Sequence, residues 1–308
     1  MLSVWLLDPA FLAPGMGWRV AFGSGAVLGL VILHLRRFLP ESPRWLMIHG
    51  QPEEAGKVVE DIEARVVATE RVTLSPVTTT LALAGSHRTT LVSVASTLLR
   101  DYRGRTALGL VLMASQAFIY NAIFFTYALV LTRFYAVSAD KVGLYILPFA
   151  VGSFLGPLLL GPLFDMLGRK PMIVTTYGLS GLLLAGTGWL FEAGVLDAAT
   201  QTTMWSVVFF FASAAASAAY LTVGECFPLE IRAFTIALFY AFGTLLGGVA
   251  GPWLFGVLIE SGSRSDIVAG YLLGAGMMVA AALVTTRLGV AAECRPLEEV
   301  APPLSKAP

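Results

Sequence analysis

This sequence is poor in charge. Asp, Glu, Lys and Arg supply 13% of its 308 residues, against roughly 25% in ordinary soluble domains, and the mean hydropathy is +0.77. A water-soluble globule is therefore disfavoured. The 20 basic and 20 acidic residues cancel, so there is no basic field to attract nucleic acid. Cysteine is limited to Cys226 and Cys294, too few for a disulfide framework. No glycine-rich phosphate loop, no His/Cys cluster with metal-ligand spacing and no Gly-x-Ser-x-Gly elbow occurs. ATP-driven pumping, metal chemistry and membrane hydrolysis lose their support with them, and the chain reads as no enzyme. The first 17 residues (MLSVWLLDPAFLAPGMG) lack the basic n-region and cleavage site of a signal peptide, and read as the outer end of a helix.

What the sequence does have is long uncharged runs. They cover Val20 to Leu35, Thr106 to Thr132, Val142 to Phe164, Pro171 to Phe191, Ala198 to Gly224, Ala233 to Ile259 and Ile267 to Thr286. A bilayer core of about 30 Å needs about 20 apolar helical residues. Six runs meet that length, and the first does so if Arg19 and Arg36 snorkel. Backbone groups in lipid must pair within their own segment, and the Gly and Pro inside the runs suit kinked, packed helices better than barrel strands. Seven membrane helices are predicted. Gly152 and Gly156 before Pro157, and Gly247 and Gly251 before Pro252, have the small-x-x-x-small spacing of close helix contacts.

Charge then orients the chain. Placing the stretches 36–105, 165–170, 225–232 and the tail from 287 on one side collects 16 of the 20 Lys and Arg residues. The positive-inside rule makes that side cytoplasmic, with the N-terminus of this chain outside, the C-terminus inside and both cysteines facing a reducing compartment. Within the long basic stretch, Pro52 to Arg71 opens with acids and repeats Val58, Val59, Ile62, Val66 and Val67 at helical spacing. It reads as an amphipathic helix lying on the cytoplasmic face. Thr73 to Ser96 is linker-like.

Three motifs lie on that basic side. Pro40-Glu41-Ser42-Pro43-Arg44-Trp45-Leu46 stops a helix with two prolines and places an interfacial Trp beside a charge pair. Gly161-Pro-Leu-Phe-Asp165-Met166-Leu-Gly168-Arg169-Lys170 sets Asp165 four residues before Arg169, with Gly168 free to turn tightly. Glu225-Cys-Phe-Pro228-Leu-Glu-Ile-Arg232 brackets a proline-broken turn between opposite charges. Together these resemble the sugar-porter and metabolite:H+ symporter branches of the major facilitator superfamily. They match its PESPRWL, G-x-x-x-D-R-x-G-R-K and E-x-x-P-x-x-x-R motifs, except that Met166 replaces the usual Arg. A weaker echo of the sugar-porter tail is Arg295-Pro-Leu-Glu298-Glu299.

The resemblance implies an all-α, polytopic membrane bundle, the runs being helices six to twelve of a twelve-helix fold. On that numbering, residues 1–39 hold a stub of helix five and helix six. Residues 40–105 form a cytoplasmic linker, 106–288 a six-helix transmembrane domain and 289–308 a cytoplasmic tail. Helices one to four and most of five would belong to an N-terminal half outside this chain. The resemblance also implies a cytoplasmic gate built from Glu41, Arg44, Asp165, Gly168, Arg169, Lys170, Glu225 and Arg232.

Substrate candidates are uncharged. Gln116 and Asn121 in SQAFIYNAIFFTY keep the second Gln and the Asn of the sugar porters' QQ-x-S-G-x-N, and an amide both donates and accepts without the cost of a buried charge. Tyr120 and Tyr127, at i and i+7, would add an aromatic wall on the same face. Tyr220 stands where the family has Trp, five residues before the motif Glu, and Tyr240 faces the same expected cavity. The run Ala212 to Ala219 lacks the family's G-P-I-P, which argues against a hexose. No carboxylate occupies the middle of a span, where a proton carrier would be sought. The expected function is secondary transport of a small organic metabolite (an organic or aromatic acid, or a sugar-like compound) in the inner membrane. Its only driving agent would be a proton gradient, and its partners the substrate and the bilayer. The alternative is a truncated, non-transporting membrane fragment with a regulatory or assembly role.

Overall fold

The structure, a computed structural model, describes residues 16–71, 73, 90–124, 126–293 and 295–304. The expected helix stub over 1–15, the linker residues 74–89 and Cys294 lie outside the described residues. The chain divides into two compact units, Leu2–Thr90 with Pro302–Pro308, and Leu91–Ala301.

Among its described residues the first unit contains three helices: α1 (Gly17–Arg36), α2 (Pro43–Ile48) and α3 (Pro52–Glu70). α1 is apolar along its length, with its basic residues at the ends and Arg19 lying 4.6 Å over the Trp18 ring. The PESPRWL motif is the start of a helical hairpin. Pro43 occupies the first turn of α2, Trp45 stacks on His49 at 3.9 Å, and Gln51 N–H donates to the Leu46 carbonyl at 2.9 Å before Pro52 opens α3. Pro suits that first position because its missing N–H would be unpaired there in any case. Glu53 and Glu54 add acid at the positive end of the dipole. α3 ends on Arg71, whose left-handed φ of 52° closes it.

The second unit is the membrane bundle. A short α4 (Leu91–Ser96) and a π turn (Thr97–Asp101) lead into α5 (Arg103–Ile119), a π turn (Tyr120–Phe124) and α6 (Tyr127–Tyr135). Then follow α7 (Val142–Met166), α8 (Arg169–Glu192), α9 (Ala198–Cys226), α10 (Leu229–Thr244), a π turn (Leu245–Ala250), α11 (Gly251–Glu260), α12 (Arg264–Leu288) and a final turn α13 (Leu297–Val300). With α1, seven helical segments among the described residues are long and apolar enough to cross a membrane, matching the seven runs in the sequence.

Two of those runs are not uniform helices. Thr106 to Thr132 is widened at Tyr120–Phe124, and Ala233 to Ile259 at Leu245–Ala250. In the first, Asn121 Nδ2 donates to the Ala117 carbonyl at 2.8 Å and Thr126 Oγ1 to the Ala122 carbonyl, local bonds that compete with the backbone ladder. In the second, Pro252 enters two residues after the π turn and cannot donate to the preceding turn.

Small residues set the helix contacts. A Cβ on Gly152 of α7 would lie 2.5 Å from the Ser206 carbonyl oxygen of α9, and one on Gly156 would overlap that of Phe210. A Cβ on Gly243 would lie 2.8 Å from the Met113 carbonyl of α5, and one on Gly247 would enter the backbone at Ala117. α7 and α9, and α10 and α5, therefore touch backbone to backbone. Between them an aromatic core runs through Phe149, Phe209, Trp205 and Tyr127, with Phe149 and Phe209 centroids 4.3 Å apart. α5 is the most enclosed span, with 67% of its apolar window buried, while α7 and the α10–α11 segment bury 17% and 22%. Their remaining surface is apolar, as lipid or another helical layer requires.

Candidate functional site

Two polar constellations occupy the bundle. The first joins α5, α9 and α10. Gln116 is 7% exposed, its Nε2 lies 4.0 Å from Met113 Sδ, and its side chain neighbours the Tyr220 hydroxyl. Tyr220 and Tyr240, 37% and 53% exposed, pair at 6.4 Å with their rings tilted by 42°. On α8, the buried Tyr177 hydroxyl donates to the Leu112 carbonyl of α5 at 3.0 Å. An amide and two phenols thus share one place on three helices, offering donors, acceptors and flat apolar faces with no charge among them.

Other candidates on α5 and α6 go elsewhere. Asn121 spends its amide N–H on Ala117, and its carbonyl oxygen lies beside Gly248 of the facing π turn. Tyr120 sets its ring edge-on to Phe209 at 5.1 Å and neighbours the hydroxyls of Ser153 and Ser213. Tyr127 is 2% exposed, its hydroxyl held between the Tyr145 carbonyl at 3.0 Å and Thr202 Oγ1 at 2.6 Å. The shared face expected for Tyr120 and Tyr127 presumes an unbroken helix, and the π turn between them breaks that period.

The second constellation is a charge cluster at the basic end. Gly168, with φ of 103°, begins α8 in a conformation that side chains resist, and brings Arg169 back over the end of α7. Arg169 Nη2 sits 3.3 Å from Asp165 Oδ1, one turn earlier. The same guanidinium forks onto Glu225 of α9, with Nη2 2.7 Å from Oε1 and Nε 3.1 Å from Oε2. The Arg169 and Glu225 side chains are 13% and 18% exposed, whereas Asp165 is 59% exposed. The forked pair is thus the protected one, and charge-assisted bidentate bonds are the stronger kind. Lys170 follows on α8 with its stem beside Gly289. Arg232 donates to the Phe227 carbonyl at 3.3 and 3.2 Å and so closes the proline turn after α9. Glu41 and Arg44 belong to the other unit, ahead of and within the first turn of α2.

Sequence reading missed two members. Glu293 Oε2 accepts the Arg169 backbone N–H at 3.4 Å, placing a carboxylate at the positive end of α8. Arg105 Nη1 donates to the Cys226 carbonyl at 2.8 Å and the Val300 carbonyl at 2.7 Å, tying the start of α5 to the end of α9 and to the tail. Both partnerships span more than a hundred residues, and no spacing signals them. Beside the cluster, a cavity of about 290 Å³ opens between α7 and α9, lined by Pro157, Gly161, Asp165, Arg169, Ser217 and Leu221 among others.

Residues 10–303 match the family described as "Sugar (and other) transporter". The chain is 26% identical to the D-xylose-proton symporter of Escherichia coli (strain K12) over 77% of its own length and 45% of that protein's. It is 25% identical to plastidic glucose transporter 4 of Arabidopsis thaliana over 92% of its length and 50% of that protein's. A crystal structure of a double tryptophan mutant of XylE superposes on it with a TM-score of 0.69 at 23% identity, over 92% of this chain and 58% of that one. The chain therefore spans about half the length of the relatives it matches, and its fold is that of a major facilitator transporter.

Proposed function

Because the chain belongs to the sugar (and other) transporter family, we propose that it supplies the C-terminal helices of a proton-coupled secondary transporter for a small organic metabolite, working by alternating access. The carrying observation is the convergence of Gln116, Tyr220 and Tyr240 from three helices. The Gln116 amide would bond hydroxyl or carboxylate oxygens of the substrate, and the two phenol rings would cover its apolar face. The substrate is sugar-like or a small organic acid. The neutrality of these groups leaves any proton-carrying carboxylate to helices outside this chain.

In this reading the Asp165–Arg169–Glu225 cluster, with Gly168, Lys170 and Arg232, forms the cytoplasmic gate of this bundle. Its ion pairs strengthen when closure excludes water and weaken when the gate hydrates, a difference that lets it switch. Orientation follows the positive-inside rule, with the basic end in the cytoplasm of an inner-membrane protein.

The test is uptake by the full-length protein in cells, using pentoses, hexoses and small carboxylic acids with and without a protonophore. Gln116→Ala and Tyr220→Ala are each expected to raise KM about tenfold, the loss of about 1.4 kcal/mol of binding, at unchanged membrane abundance. Unaltered kinetics in both variants would reject the site, and uptake indifferent to the protonophore would reject proton coupling.

A further inference from the structure

The bundle holds another polar cluster, at the opposite end from Arg169, that the proposed pathway does not use. Gln201 and Trp205, one turn apart on α9, are both 0% exposed, and Tyr271 of α12 is 1% exposed. The Trp205 and Tyr271 rings meet edge to face at 5.9 Å. From α6, the Tyr135 hydroxyl donates to Gln201 Oε1 at 3.1 Å. Yet Gln201 Nε2, Trp205 Nε1 and the Tyr271 hydroxyl have no hydrogen-bond partner among the described residues. Their surroundings are aromatic: Phe191 and Phe255 lie 5.9 and 5.7 Å from the Tyr271 ring, and Tyr127 4.8 Å from Trp205. Buried donors without acceptors are rare, because nothing in such surroundings replaces the water they gave up. Two nitrogen donors one turn apart on α9, and a hydroxyl on α12 whose ring meets that of Trp205, call for a partner that both accepts and donates.

We infer that Gln201, Trp205 and Tyr271 form a binding site for one buried water molecule, which ties α9 to α12 and, through Tyr135, to α6. Water matches the donor inventory. The Gln201 amide nitrogen and the Trp205 indole nitrogen only donate, so the two lone pairs of a water oxygen accept them, and a water hydrogen goes to the Tyr271 oxygen. A halide would accept the same donors. Arg264, the cation of this neighbourhood, already donates to the Phe191 carbonyl at 2.7 Å, and an anion among these rings would bear an uncompensated desolvation cost. The site stands apart from the substrate reading and survives or fails without it.

Two measurements on the full-length protein test it. A map that resolves waters is expected to show one within hydrogen-bond distance of both Gln201 Nε2 and Trp205 Nε1. Direct bonds from these donors to protein acceptors, an empty map at that point, or an anomalous peak there after bromide soaking would overturn it. In lipid nanodiscs, Tyr271→Phe and Trp205→Phe are each expected to lower the thermal midpoint, Tyr271→Phe by about 2–4 °C, and the double variant by less than the sum, since the water is lost once. A Tyr271→Phe midpoint equal to or above wild type would mean that the hydroxyl had no partner to lose, and the inference would fall.

Discussion

At the scale of single residues, the gate cluster depends on the shape of one guanidinium. Arg169 reaches Glu225 through two nitrogens and Asp165 through one of them, while its own backbone N–H meets Glu293. Lysine would carry the same charge without the planar fork. Arg169→Lys is therefore expected to destabilise the bundle by about 1 kcal/mol, and Arg169→Ala by about 2–3 kcal/mol, because Glu225 is then left half-buried without its partner. Thermal unfolding in nanodiscs measures both. A midpoint for Arg169→Lys equal to that of wild type would show that charge, not the fork, is what matters. Asp165→Asn, at a side chain 59% exposed, should change the midpoint little, as hydrated ion pairs contribute little.

At the scale of elements, helix ends and helix contacts each make a prediction. α9 opens with a capping box in which Asp197 Oδ1 accepts the Thr200 backbone N–H at 2.7 Å and Thr200 Oγ1 accepts the Asp197 N–H at 2.9 Å. The Thr200 backbone N–H first, and its hydroxyl second, hold the Asp197 carboxyl below its ordinary value of 3.8. A lowered folded-state value means the cap is fully effective above the ordinary value and is lost as pH falls through the folded one. Asp197→Ala should therefore lower the thermal midpoint at neutral pH, and the gap from wild type should narrow as pH drops below 3.8. A gap independent of pH would exclude the carboxylate as the capping group.

The glycine contacts give a matched pair on one helix. Gly156→Ala would drive a methyl into the Phe210 carbonyl, whereas a methyl at Gly161 meets nothing within 4 Å. The first should destabilise the α7–α9 contact by more than about 2 kcal/mol. The second should be neutral, or stabilising by up to about 1 kcal/mol through helix propensity. Similar unfolding midpoints for Gly156→Ala and Gly161→Ala would contradict the backbone-to-backbone approach.

At the scale of the molecule, the sparsely buried spans α7 and α10–α11 are apolar on the surface the bundle leaves uncovered. This chain spans about half the length of the relatives it matches. The asymmetry of Lys and Arg makes sidedness testable. With Cys226 and Cys294 replaced by serine, cysteine introduced at the exposed Ser138 should react with a membrane-impermeant maleimide on intact cells, and cysteine at the exposed Gln51 should not. The reverse pattern would invert the proposed orientation and move the Arg169 cluster outside.

Composition and spacing alone determined the membrane class, the seven spans to within a few residues at most ends, and the family. Hydrocarbon thickness sets how long an apolar run must be, and motifs such as PESPRWL are contiguous, so local order is enough to read them. The sequence also named Gln116, Tyr220 and Tyr240 as lining one cavity, though not that Tyr127 is spent inside the core. Only tertiary structure decided which carboxylate Arg169 holds, that Glu293 and Arg105 close the basic end, and where π turns interrupt two apparently continuous runs. Those features depend on which helices lie against each other, and helix packing joins residues far apart in the chain, where no local period carries a signal.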